Sequence, residues 1–314
     1  AVSYLKQGYA IGIPTETVYG LAALCSNPQA IASIFDIKKR PQTNPLIVHI
    51  SDVKDLDQIC RFVPEKAKLL AEHFWPGPLT FLLPKNESIS DQITAGSDLV
   101  AVRVPNHPQT LALLKALNEP FVAPSANPAN AISPTSSQHV FNYFNGKIPM
   151  VLEGGFCEKG IESTIVGFEN DEVVIHRLGS LSQELIEKVV GSVILKNNPK
   201  EKIVSPGQFS KHYAPKKPMI LTNDILQVIE NHKNNKIGIL SFNSSFETNH
   251  SIIVVKDLSP NGNFEEAMKN VYAYLHQLDA ENINLIVAEL LPEILVGSSI
   301  NDRLKRAAAT HLIF

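Results

Sequence analysis

The chain has 314 residues, 44% hydrophobic and 19% charged, with 28 Lys plus Arg against 31 Asp plus Glu and a formal net charge of -3. That length and apolar content support a sizeable core and two domains, and they leave little room for long disorder. The charge balance counts against a protein held on nucleic acid mainly by phosphate contacts, and three widely spaced cysteines without a CxxC pair (Cys25, Cys60, Cys157) count against a disulfide framework or a structural zinc.

Residues 1–8 read as the end of a short helix stopped at Gly8, followed by an apolar strand over 9–13 and the polar loop PTETVYG. Helical spacing over 28–38 ends in a basic KKR, and Pro41 closes it. LIVHI (46–50), LTFLL (79–83), LVAVRV (99–104) and FVA (121–123) read as strands, with helices over 64–74 and 108–118 between them. Ser133-Pro134 is expected to cap a further helix running to about Phe144. MVLEGG reads as a strand and turn, and STIVGF with EVVIHRL as a hairpin about the polar 169–172 turn. A polar, Pro-containing stretch over 197–217 is the expected linker between a domain over 1–196 and one over 218–314. Beyond it, MILT, IGILSF, IIVV and LIVAEL alternate with helices near 224–234, 264–278 and 298–310, which predicts a smaller three-layer α/β domain on a mainly parallel sheet.

No apolar run is long enough to span a bilayer, and the N-terminal residues lack the layout of a secretory signal, so a cytoplasmic protein is expected. No GxxxxGK[ST] loop, post-strand GxGxxG, HExxH or GxSxG is present. The polar residues gather instead in five segments at strand ends and loops: 14–20, 38–49, 100–105, 123–136 and 160–166. Each segment also has a plain structural reading. The KKR can be a solvated helix end favourable to the helix dipole. Arg103, inside an apolar strand, needs either a structural carboxylate or an anionic ligand. Ser133 can be a helix cap, and His49 a satisfied core histidine.

Taken together and in this order, PTETVYGL, KKR, NPLIVHI, APSANPANAISPTS and GIESTIV closely resemble the YrdC-type threonylcarbamoyl-AMP synthase family, with KxR and SxN (Lys38, Arg40, Ser125, Asn127) as its hallmark pair. The match runs from about residue 8 to 180, while SPGQFSKHYAP and SINDRLKRAA resemble the linker and last helix of the longer, two-domain branch. VGSS stands where that branch usually has a glycine-rich turn, and HRLGS where the family more often has RPG. The resemblance implies a twisted α/β sheet with a concave, positively charged face, followed by a Rossmann-like C-terminal domain. It implies ATP, L-threonine and bicarbonate as substrates, Mg²⁺ with the nucleotide, and product hand-over to a tRNA threonylcarbamoyl transferase. Lys38, Arg40, Ser125 and Asn127 would be catalytic and, with Asn44, Ser133, Arg177 and Tyr213, would hold ATP. Thr17, His49, Arg103 and Ser163 would hold threonine. The metal's ligands and the general base are not identifiable from the sequence. The rival readings are an RNA-binding module, for which a weak affinity for RNA would remain, and a threonine- or nucleotide-binding regulatory module without turnover. A third, a hydrogenase-maturation carbamoyl transferase, would carry extra acyl-phosphatase and zinc-finger segments.

Overall fold

A computed structural model describes residues 1–196, 212–249 and 251–308. Most of the expected linker, including the stretch SPGQFSK, lies outside the described residues, as does the end of the expected last helix.

The first nine strands are β1 (Ile11–Ile13), β2 (Gly20–Leu24), β3 (Ile47–His49), β4 (Leu79–Pro84), β5 (Leu99–Arg103), β6 (Phe121–Val122), β7 (Thr164–Glu169), β8 (Glu172–Arg177) and β9 (Val193–Leu195). They form one mixed sheet in the order β1-β2-β6-β3-β5-β4-β7-β8-β9. Strand alternation divides its two faces. Val48, Phe81, Val100, Val102 and Val166 point into the main core under the helices, whereas Ile47, Leu82, Ala101 and Ile165 form a small cluster on the other face. His49 and Arg103 follow Ile47 and Ala101 by two residues, so they share that second face. The parallel register of β3 and β5 sets His49 directly opposite Arg103.

The helix Pro28–Lys38 starts with Asn27 accepting from the Ala30 amide and has Pro at its first turn. It ends on Lys39 in the left-handed region (φ 55°), not at Pro41. The helix before Phe144 covers Ser137–Phe144, and its cap is Ser136, whose side chain accepts from the His139 amide. The expected cap, Ser133, instead donates to Glu162. MVLEGG contributes only an isolated bridge, Val151 to Gly12. The hairpin of β7 and β8 turns through Asn170 and Asp171, both with positive φ.

After the linker come β10 (Met219–Thr222), β11 (Ile237–Ser241), β12 (Ile252–Asp257) and β13 (Leu285–Glu289), all paired in parallel in the order β10-β13-β11-β12. Helices Phe264–Ala280 and Gly297–Ala307 pack on one face, and Ile225–Asn231 on the other, giving three layers. The core on the first of these faces also takes in Val18, Ile132 and Ile161 from the first domain and Tyr213 between the domains. The two domains therefore share one apolar interior along this contact. Among the described residues no helix is long and apolar enough to cross a membrane.

Candidate active site

The second face of the large sheet opens into a cleft of about 560 Å³ of non-atom space. Its walls carry three guanidinium groups, Arg40, Arg103 and Arg177, together with Thr15, Thr17, Ser125, Ser163, His49, His212 and Tyr213. Among the described lining residues Glu162 alone supplies a carboxylate. Eight of the twelve residues expected in the site thus line one cleft: Thr17, Arg40, His49, Arg103, Ser125, Ser163, Arg177 and Tyr213. Lys38, Asn44, Asn127 and Ser133 stand behind the wall, each 3% exposed or less.

Arg103 resolves the choice its strand position left open. Its Nη1 pairs with Glu16 at 3.2 Å, both side chains being buried, so the structural carboxylate exists. Nη2 donates to Thr17 Oγ1 (3.1 Å) and Nε donates to His49 Nε2 (3.0 Å). A guanidinium has five N–H bonds, so two find no partner among the described residues, on a side chain that still lines the cleft. Because His49 Nε2 accepts, its proton sits on Nδ1 and points to the Ile47 carbonyl at 3.1 Å. Burial, and then the neighbouring Arg103 charge, hold the His49 pKa well below the ordinary histidine value. With its lone pair occupied and its basicity suppressed, His49 orients Arg103 and is poorly placed to act as a base.

The left-handed turn at Lys39 splits the KKR segment. Lys38 turns inward, Lys39 outward, and Arg40 reaches the cleft wall. The Lys38 ammonium donates to the carbonyls of Ser125 and Asn127, and its own carbonyl accepts from the Ala129 amide. It thereby ties the KxR segment to the SxN loop. Burial, followed by Arg40, pushes its pKa well below the usual lysine value. Arg40 donates to the carbonyls of Asn44 (3.2 Å) and Pro45 (2.7 Å). Burial lowers its pKa to about 9, which leaves it charged at neutral pH. Asn127 Nδ2 donates to the Pro128 and Ala131 carbonyls, while Asn127 Oδ1 and Asn44 Oδ1 are buried without a partner among the described residues.

Arg177 lies opposite Ile165, beside the register shift in β7, and its Nε and Nη2 both reach the Ser163 carbonyl (3.1 and 2.8 Å). Nη2 also reaches Ser163 Oγ, which shares a 2.8 Å hydrogen bond with Thr80. Tyr213, 1% exposed, holds φ 61° and lines the cleft.

The family model described as telomere recombination, covering Sua5, YciO and YrdC, matches residues 3–179. A second, described as the threonylcarbamoyl-AMP synthase C-terminal domain, matches residues 181–309. The chain belongs to the two-domain threonylcarbamoyl-AMP synthase family. It is 36% identical over 323 residues to the threonylcarbamoyl-AMP synthase of Bacillus subtilis, covering 100% of this chain and 93% of that protein. With the Pyrococcus abyssi threonylcarbamoyl-AMP synthase it shares 35% identity, covering 100% and 94%. The crystal structure of Pyrococcus abyssi Sua5 complexed with L-threonine superposes with a TM-score of 0.92 at 34% identity, covering 99% of this chain and 94% of that one. The second family match begins before the helix Gln183–Val190 and β9, which belong structurally to the large sheet.

Reading the sequence alone missed Glu16, Glu162, His212, Tyr272 and Arg303. A signal existed for two of them. Arg103 required a carboxylate, and Glu16 stood in a segment already singled out. Arg303 falls on the apolar stripe Ile300, Leu304, Ala307 of its helix, where a solvated charge does not belong.

Proposed function

We propose that this protein is an L-threonylcarbamoyladenylate synthase, converting ATP, L-threonine and bicarbonate into threonylcarbamoyl-AMP, pyrophosphate and water for tRNA threonylcarbamoyladenosine formation. The observation that carries the reading is the near full-length match to threonylcarbamoyl-AMP synthases, in a chain whose cleft gathers three guanidinium groups beside hydroxyl donors. Threonine's amine takes up bicarbonate and loses water to give a carbamate. A carbamate oxygen then forms a bond to the α-phosphorus of ATP, and the bond to the pyrophosphate oxygen breaks. Holding these anions together requires preoriented cations and donors.

In this reading the uncommitted N–H bonds of Arg103 take the threonine carboxylate. Thr17 and Ser163 lie on the same side to meet the amino acid's polar groups, and His49 keeps Arg103 oriented. Arg40 and Arg177 face the phosphates, for which a planar fork is well suited. Ser125, Asn127, Asn44, Ser133 and Tyr213 belong to the nucleotide side, and the orphaned oxygens of Asn44 and Asn127 are consistent with donors arriving on a ligand. Lys38 serves by fixing the SxN loop. Mg²⁺ enters with ATP. The one lining carboxylate is engaged by protein donors, and no group of three or more His, Cys, Asp or Glu stands together among the described residues. The donor set therefore suits an ion carried on phosphate oxygens and water. We place the domains at 1–196 and 218–314 with the linker between, and the activity in the cytoplasm, upstream of a tRNA threonylcarbamoyl transferase.

The test is pyrophosphate release from ATP, Mg²⁺ and bicarbonate with L-threonine, L-serine or L-valine. Release that needs both threonine and bicarbonate supports the reading. Valine is expected to fail outright, because it would leave the hydroxyl's partners unpaired, and serine to fail less completely. Release without bicarbonate would mean ordinary amino-acid adenylation. No release, with salt-sensitive RNA binding, would favour the RNA module.

A further inference from the structure

Glu162 sits where the second domain meets the cleft. It lines the cleft and is 7% exposed. Its carboxylate accepts from one first-domain group, Ser133 Oγ at 2.6 Å. It also accepts from two second-domain groups, the Tyr272 hydroxyl at 3.1 Å and Arg303 Nε at 3.2 Å. Arg303 comes from the helix Gly297–Ala307, and its side chain is fully buried. Its Nη1 donates to the Leu178 carbonyl at 2.6 Å, one residue past Arg177, and its guanidinium carbon lies 5.6 Å from the Tyr213 ring centre.

One cation of the second domain therefore touches the cleft wall from behind at three places: Glu162, the residue after Arg177, and Tyr213. Glu162 is joined through one peptide bond to Ser163, whose carbonyl accepts from Arg177 Nε and Nη2. A shift of the Glu162 backbone or carboxylate would move Ser133 on one side and the Ser163–Arg177 pair on the other.

A buried ion pair is a poor way to glue two domains, since its desolvation largely cancels its attraction and apolar packing of the same volume does as well or better. The interface already has such packing, through Val18, Ile132, Ile161 and Tyr213. What the pair adds is direction, because the Nε and Nη1 N–H bonds donate along fixed lines in the guanidinium plane.

We infer that Arg303 and Tyr272 are positioning residues of the active site, acting through Glu162 on Ser133 and on the Ser163–Arg177 pair. The second domain then takes part in setting the geometry of the first domain's cleft. The inference rests on the synthase reading above.

The experiment compares steady-state pyrophosphate release, varied in ATP and in threonine, for the full chain and for Tyr272→Phe, Arg303→Lys, Arg303→Met and Ser133→Ala. Glu265→Gln is the control. It breaks the exposed Lys159–Glu265 pair (3.3 Å) between the same two domains, away from the cleft. At matched folded fraction by circular dichroism, Tyr272→Phe is expected to lose about tenfold in kcat/KM for ATP, the equivalent of about 1.4 kcal/mol. Arg303→Met should lose more, Arg303→Lys should recover part of that loss, and Glu265→Gln should stay within twofold of the wild type. Ser133→Ala should cost less in the Tyr272→Phe background than in the wild type, since both act through one carboxylate. If Arg303→Met does not fold, Tyr272→Phe and Arg303→Lys carry the test. An active wild type with both of these within twofold of it overturns the inference and leaves the synthase reading standing. An inactive wild type overturns that reading. The inference is then tested by ATP titration calorimetry on the same variants, and equal affinities would refute it.

Discussion

Replacing Arg103 by Met should destabilise the protein far more than loss of one side chain's packing would. Arg103 and Glu16 form a buried pair with side chains 5% and 3% exposed. Without the guanidinium, the Glu16 carboxylate keeps, among the described residues, only the Asn106 amide at 3.1 Å, and Thr17 and His49 each lose a charged donor. Breaking a buried pair from one side costs about 3–5 kcal/mol, most of it from the charge left behind. Adding Glu16→Gln removes that charge while retaining an acceptor for Asn106, so the double variant should regain about 2 kcal/mol relative to Arg103→Met alone. Urea denaturation of the wild type, both single variants and the double variant measures this cycle. The catalytic readout should separate from the stability readout: the double variant recovers stability but not threonine-dependent turnover, because neither Met nor Gln replaces the Arg103 cation for the amino acid's carboxylate. A loss below about 1 kcal/mol in Arg103→Met would refute the argument that Glu16 depends on Arg103. Full threonine-dependent turnover in the double variant would refute the carboxylate assignment.

Lys38→Met should weaken ATP binding at least tenfold while leaving threonine affinity close to wild type, because Lys38 holds the SxN loop and not the amino-acid side. Separate calorimetric titrations check this, and equal losses for both ligands would contradict it. Gly179→Ala would set a Cβ 2.3 Å from Ser163 C and Thr164 N, both backbone atoms, so it should displace Ser163 and cut turnover more than tenfold in a pyrophosphate assay. Burial lowers the pKa of His49 far below the usual histidine value and that of His212 to about 3. The unfolded chain would bind these protons near pH 6.5, so the stability from keeping both rings neutral is fully present above that pH. It falls as pH drops towards the folded pKa values, with a limiting slope of about 1.4 kcal/mol per pH unit for each ring. Thermal unfolding at pH 7.5, 6.5 and 5.5 should show this decline, and a flat profile would argue that the rings titrate in the fold as they do in the unfolded chain.

Helices with a Pro or Asn start and strands with a clear apolar run were legible in the sequence, since local signals determine both. The strand β2 was not: its five residues are all buried and follow directly on the polar motif, so no alternation marks it. Ser133 read as a helix cap because Pro134 follows it, whereas Ser136 performs that role three residues later. The cleft itself was largely legible as segments but not as contacts. Its internal wiring joins Glu16 to Arg103 across 87 residues and Glu162 to Arg303 across 141. Local signals mark Glu16 and Arg303 as residues in need of a partner, but which partner each meets is set by tertiary packing: strand order in the large sheet for Arg103, and the docking of the second domain for Arg303.

The helix Gly297–Ala307 is synthesised after every other described part of the cleft. A nascent chain that has completed the large sheet but neither helix of the shared core holds Glu162 without its cation, and leaves Val18, Ile132 and Ile161 without their second-domain packing. Such an intermediate is sticky, and its cleft lacks the second domain's contacts to Glu162. Arrival of Arg303 supplies the carboxylate's cation, and Ile300 and Leu304 of the same helix complete the shared core. Completion of the Glu162 contacts thus waits on the last described helix, whose residues follow all others of the cleft in chain order.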